Sequence, residues 1–385
     1  MSTTGEATTS KAVIDRAITN KAIISADSHI AEPPNCYVDH IDPAFRDRAP
    51  HMTEHEKFGD IFVIEGIDQP VPMGLIAAAG KDPKDLTTRG VKFEELPRSS
   101  WDASCRVADQ ETDGISAEII YPTVGMLLCN HPDIDYQVAC FGAYNRWLEE
   151  YVGNAPKNRL FGLGQVALRS VDEGIKEIED AKNKGFVGVM MTGNPPEADY
   201  HDPMYDPLWE AAVDMQMPLS FHILTSKADQ INAQRGPKIN GFLGIMRGCQ
   251  DVLGTFVFGG VFDRHPKLKV VCAEADAGWV PHFIYRMDHA YDRHRYWMKA
   301  PPLEKMPSEY FLNNIYLTFQ DDWTAFKYRN EMNPQRLMWA NDFPHSDSTW
   351  PWSQDILQEH TADMNQQEKD WILHDNVVEC YNLPL

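Results

Sequence analysis

Ala22-Ile23-Ile24-Ser25-Ala26-Asp27-Ser28-His29 is an apolar run closed by an acid and an imidazole. Side chains alternate along a strand with period two, so Asp27 and His29 project to the same side of the pleat. At the end of a buried strand, a carboxylate beside an imidazole offers oxygen and nitrogen donors to a divalent metal. Two later apolar runs close in a comparable way, Ser220-Phe221-His222 and Ala340-Asn341-Asp342. Three strand ends, each carrying a ligand type, predict one site assembled at the rim of a barrel.

Working outward, eight short apolar runs read as strands: residues 23–30, 117–123, 160–167, 186–192, 218–223, 268–273, 315–319 and 337–341. Their near-continuous apolar character fits parallel strands covered by helices. Helical periodicity lies between most of them, at 134–152, 171–184, 206–215 and 280–297. Gly185 stands at a C-terminal stop and Pro207 in a first helical turn. Strand and helix alternating over some 300 residues predict a (β/α)₈ barrel. Residues 21–385 form this one domain, and residues 1–20 read as a disordered lead-in. Residues 31–116 contain a cap-like insertion over the barrel mouth, with a hairpin at 61–72.

Composition narrows the function. The chain has 385 residues, 43% hydrophobic and 24% charged, as expected of a soluble globular protein. No apolar run reaches the roughly 20 residues that span a bilayer, and no secretory signal is read at the N-terminus. A net charge of −22, from 57 acids against 35 bases, disfavours a nucleic-acid partner. Seven scattered cysteines without a C-x-x-C pair fit reduced thiols in the cytoplasm. A small molecule is the expected partner.

Each candidate residue has a plainer reading. Asp27 and His29 can form a solvated turn pair, His222 can be a satisfied core histidine, and Asp342 can cap a helix. Register favours the site, because all of them fall at C-terminal strand ends, where this fold gathers its chemistry. His345, three residues beyond Asp342, is a catalytic candidate that would orient a ligand or line the pocket. Arg169, after the third strand, Tyr121, ending the second, and His282 are candidates to touch substrate.

The chain resembles the amidohydrolase superfamily, in the branch of aminocarboxymuconate-semialdehyde decarboxylase and the resorcylate-type decarboxylases. The resemblance runs from Ile24 onward. It rests on Asp27-Ser28-His29, on Phe262-Asp263-Arg264-His265-Pro266-Lys267-Leu268-Lys269-Val270-Val271, on Gly278-Trp279-Val280-Pro281, and on Trp339-Ala340-Asn341-Asp342-Phe343-Pro344-His345. It implies that Asp27, His29, His222 and Asp342 ligate a metal, with Asp342 also exchanging a proton. Asp27 stands where relatives often carry His or Glu. The sixth-strand histidine of many relatives is missing, and Glu274 lies near its place as a candidate metal ligand or acid/base. No lysine occurs in 186–192, where binuclear members carry a bridging one, so one divalent ion (Zn, Fe or Mn) is implied. Barrels of this branch often form dimers, so a homodimer is the assembly the resemblance allows.

The first expectation is a mononuclear metal-dependent hydrolase, with activated water attacking an amide, ester, thioester or carbon–carbon carbonyl centre. The alternative is non-oxidative decarboxylation of an aromatic or enoic acid, with Asp342 protonating carbon. The third is a binding protein on the same barrel without chemistry.

Overall fold

The structure is a computed structural model that describes residues 18–227 and 236–385. The expectation for residues 1–20 falls almost wholly on residues 1–17, outside the described ones. In chain order the first strands are β1 (Ile24–His29), β2 (His51–His55), β3 (Gly59–Ile64) and β4 (Ile67–Pro72). They are followed by β5 (Ala117–Tyr121), β6 (Leu160–Val166), β7 (Gly188–Met191) and β8 (Leu219–His222). The last are β9 (Val270–Ala273), β10 (Ile315–Phe319) and β11 (Leu337–Trp339).

Eight of these form one parallel sheet in the order β1-β5-β6-β7-β8-β9-β10-β11. All eight match the apolar runs of the sequence. Every residue of β1, β5, β6, β7, β8, β9, β10 and β11 is buried, which explains why their sequences do not alternate. The expected helices are present as Ile134–Gly153, Val171–Asn183, Asp206–Asp214 and Val280–Met298. Ser170 caps the second by accepting the Glu173 N–H, and Gly185 follows it at φ +81°, a conformation that suits glycine.

The seam between β11 and β1 has no regular ladder and is sewn with side chains. Asn341 N–H donates to Ser25 Oγ (2.9 Å), and Ser28 Oγ–H donates to Asn341 Oδ1 (2.9 Å). Asp342 N–H reaches the Asp27 carbonyl (3.1 Å), and His29 N–H reaches the Phe343 carbonyl (2.7 Å). Behind the seam lies Arg106, fully buried and paired with Glu118 at 2.8 Å. Its guanidinium also donates to the carbonyls of His29 (2.9 Å) and Phe343 (3.1 Å), one on each side of the seam. Truncating one member of a buried pair strands the other charge and costs about 3–5 kcal/mol. Arg106→Ala is therefore expected to lose stability on that scale, read as a lowered denaturant midpoint. An unchanged midpoint would remove Arg106 from this role.

Within residues 31–116, β2, β3 and β4 form a separate antiparallel sheet. Phe62 of β3 is fully buried against Tyr37, with ring centres 6.2 Å apart. The sequence reading placed a hairpin here but not β2, whose residues His-Met-Thr-Glu-His are mostly exposed and show no apolar alternation.

Candidate metal centre

β1 ends with Asp27 and His29 aimed into the barrel, as period two requires, and Asp27 Oδ1 lies 3.3 Å from His29 Nε2. β8 ends with His222, whose Nε2 is 3.2 Å from His29 Nε2. Glu274 follows β9 directly, and its Oε2 lies 3.1 Å from both imidazole nitrogens. Asp342 lies three residues past the end of β11 and puts Oδ1 3.6 Å from His29 Nε2. His345 Nδ1 is 2.9 Å from that same oxygen, and the His345 ring stacks on His29 with centres 4.0 Å apart. Two overlapping groups have all their donor atoms within 4.8 Å of one another: Asp27, His29, His222 and Glu274, and His29, Glu274, Asp342 and His345.

The surroundings decide which atom of each side chain faces the centre. His29 Nδ1 contacts the Pro122 carbonyl and His222 Nδ1 the Ile223 carbonyl, each at 3.0 Å. A carbonyl only accepts, so each Nδ1 carries its hydrogen and each Nε2 turns to the centre. Thr318 of β10 ties the Asp27 carboxylate to the Glu274 backbone. Its hydroxyl donates to Asp27 Oδ2 (3.0 Å) and accepts the Glu274 N–H (2.9 Å). Asp27 Oδ1 is left buried without a hydrogen-bond partner, as are both oxygens of Asp342. Asp342 Oδ1 is within ion-pair distance of His345 but not in hydrogen-bond alignment with it. Buried polar atoms are ordinarily satisfied. Orphaned carboxylate oxygens beside two convergent Nε2 atoms fit a divalent cation, with hard oxygen and borderline nitrogen donors.

Electrostatics support this. Burial works against ionised Asp27, but the His222 and His29 imidazoles outweigh it and hold the carboxyl below its ordinary range. Burial likewise opposes ionised Glu274, yet the same imidazoles hold it well below the usual carboxylate range. His222 is raised well above a normal histidine; burial opposes its charge, but Asp27 and Glu274 prevail. Burial, reinforced by the Glu274 charge, pushes Asp342 far up. The carboxylates thus favour positive charge at His222 Nε2, which a proton or a metal supplies.

Glu274 and His345, placed only approximately by the sequence, are brought into the cluster with Asp27, His29, His222 and Asp342. Three substrate candidates stand elsewhere. Arg169 is not among the clustered groups; its exposed guanidinium pairs with Glu173 and Asp135. His282 lies exposed near the start of helix Val280–Met298, with its ring beside Tyr285. Tyr121 points inward but packs at the centre's flank, with its ring 5.2 Å from that of His222 and its hydroxyl spent on Ser220 and Tyr381. Sequence reasoning missed Thr318, although it is the only non-aromatic polar residue in the run Ile315-Tyr316-Leu317-Thr318-Phe319.

Above the cluster opens a cavity of about 260 Å³. Glu274, Asp342, His345 and Thr123 line its floor, and its walls are mainly apolar. Val71, Leu75 and Ile76 come from the insertion, and Met126 and Leu127 from the short helix Val124–Leu128 that follows β5. Lys238 and Phe242 come from the loop after β8.

The 2-amino-3-carboxymuconate-6-semialdehyde decarboxylase of Dictyostelium discoideum is 22% identical over 260 residues, covering 66% of this chain and 70% of that protein. An amidohydrolase from Mycobacterium avium subsp. paratuberculosis K-10 superposes with a TM-score of 0.78 at 22% identity, over 94% of this chain and 99% of that one. A 5-carboxyvanillate decarboxylase from Novosphingobium aromaticivorans, solved with manganese and 4-hydroxy-3-methoxy-5-nitrobenzoic acid, superposes with a TM-score of 0.67 at 20% identity, over 94% and 97%. The sequence model of the amidohydrolase family matches residues 130–383, a span reaching from the loop after β5 through β11 and including His222, Glu274, Asp342 and His345. With that match over most of its length, the chain belongs to the amidohydrolase family.

Proposed function

We propose that the protein is a metal-dependent, non-oxidative decarboxylase of an aromatic or enoic carboxylic acid. Decarboxylation moves ahead of hydrolysis because the Dictyostelium relative and the Novosphingobium neighbour are both named as decarboxylases, while the Mycobacterium neighbour is named only as an amidohydrolase. That agreement carries the choice, and the apolar cavity walls favour it, since hydrolysis needs water at the reacting carbon.

Asp27, His29, His222 and Glu274 would hold one divalent ion, which when bound would supply positive charge to stabilise the electron density that builds up on the substrate. Zinc, iron and manganese all suit the donors; manganese in the Novosphingobium neighbour supports that metal among them. The insertion and the loops after β5 and β8 hold the substrate's apolar body. Asp342 stands over the centre and delivers a proton to the carbon that carried the carboxylate. The bond to the carboxylate carbon breaks, its electron pair remains on the substrate carbon, and carbon dioxide departs. His345 keeps Asp342 supplied with protons.

The test is a panel of hydroxybenzoic and enoic acids set against esters, lactones and amides, with protein loaded with manganese or zinc in D₂O. The expected result is carbon dioxide release with one deuterium at the vacated carbon, abolished by chelation. Hydrolysis of an ester or amide with no carbon dioxide from any acid would return the chain to the hydrolase reading.

A further inference from the structure

We propose that Thr123 is a positioning residue that fixes His345 with its hydrogen on Nε2 and its Nδ1 lone pair turned to Asp342 and Glu274. The inference rests on the decarboxylase reading for its consequence in turnover, but not for its geometry.

The geometry is a matter of counting hydrogens. A threonine hydroxyl has one to give. Thr123 gives it to the Ile30 carbonyl at 2.7 Å. The same oxygen lies 3.0 Å from His345 Nε2, so in that contact it can only accept. Nε2 therefore bears the hydrogen, and Nδ1 carries the lone pair, 2.9 Å from Asp342 Oδ1 and 3.9 Å from Glu274 Oε2. The preceding residue does the converse. Pro122 offers only a carbonyl to His29 Nδ1, which leaves His29 Nε2 facing the centre. Two consecutive residues after β5 thus dictate opposite tautomers in two stacked imidazoles.

The turn that carries them is itself held. Glu32, fully buried, accepts the N–H groups of Thr123, Val124 and Gly125 on Oε1 at 3.0, 2.9 and 3.3 Å. The Ile30 carbonyl that orients the hydroxyl lies one residue beyond His29, so the device is tied back to β1. Thr123 touches no group in the cluster other than His345 among its hydrogen bonds. It acts through His345, leaving Nδ1 as the nitrogen able to take up a proton beside Asp342.

Zinc-loaded protein labelled with ¹⁵N-histidine tests this, since long-range ¹H–¹⁵N spectra distinguish the tautomers and His345→Gln identifies the signal. The wild type and Thr123→Ser are expected to show the Nε2–H form. Thr123→Val is expected to lose that preference, with kcat lowered about 10- to 100-fold, the usual effect of removing an outer hydrogen bond at a metal site. Metal content should stay unchanged, and Thr123→Ser should restore kcat. An Nδ1–H form in the wild type overturns the proposal, even if Thr123→Val does not fold. So does Thr123→Val with both tautomer and kcat intact. If no acid is decarboxylated by the wild type, the functional reading fails while the tautomer result still decides the role of Thr123.

Discussion

Replacing His222 with alanine is expected to abolish stable metal binding. His222 contributes the only Nε2 from β8, its orientation is preset by the Ile223 carbonyl, and it faces Asp27 and Glu274 across 3.7 and 3.1 Å. Outer-shell changes at metal sites cost 10- to 100-fold in affinity; loss of a direct donor from a buried set should exceed about 100-fold. Elemental analysis after dialysis checks this, alongside turnover on whichever acid the wild type accepts. One full equivalent of metal in the alanine variant would mean that the ion sits elsewhere. The substitution also leaves Asp27 and Glu274 without their strongest positive partner, so thermal stability should fall as well.

Asp342→Asn is expected to separate binding from chemistry. The four-donor group of Asp27, His29, His222 and Glu274 does not include Asp342, so most of the metal should remain. The amide keeps the shape of the acid but has no proton to deliver at neutral pH. Positioned proton transfer contributes roughly 10²- to 10⁴-fold, and kcat should drop by that factor while metal content holds. Near-native turnover would exclude Asp342 from proton transfer. Loss of metal along with turnover would make it a ligand first.

The eight-stranded barrel was legible because each of its strands is buried on both faces, and unbroken apolar runs report that directly. Asp27, His29, His222 and Asp342 were legible because a polar residue that ends such a run has few other reasons to be there. Glu274 and His345 were harder, since they lie past the strand ends in Ala273-Glu274-Ala275-Asp276 and Phe343-Pro344-His345, where backbone conformation rather than periodicity sets direction. Arg169 shows the opposite failure. Its place after a strand suggested the mouth, but its exposed guanidinium pairs with two nearby acids. Thr123, Thr318 and Arg106 work through hydrogen bonds to residues distant in sequence, a relation that no local pattern carries.

Glu274 and Asp342 both have left-handed backbone, with φ of +54° and +52°. That conformation swings each carboxylate back over the barrel axis, and for a residue bearing Cβ it costs on the order of 1–3 kcal/mol. Glycine would relieve it at both places, and asparagine would tolerate it better than glutamate. A stability-guided redesign that ranked substitutions by folding energy alone would thus count the two acids at the centre among the residues to replace. Any thermostabilised version of this enzyme has to treat positions 274 and 342 as fixed and seek its gains elsewhere.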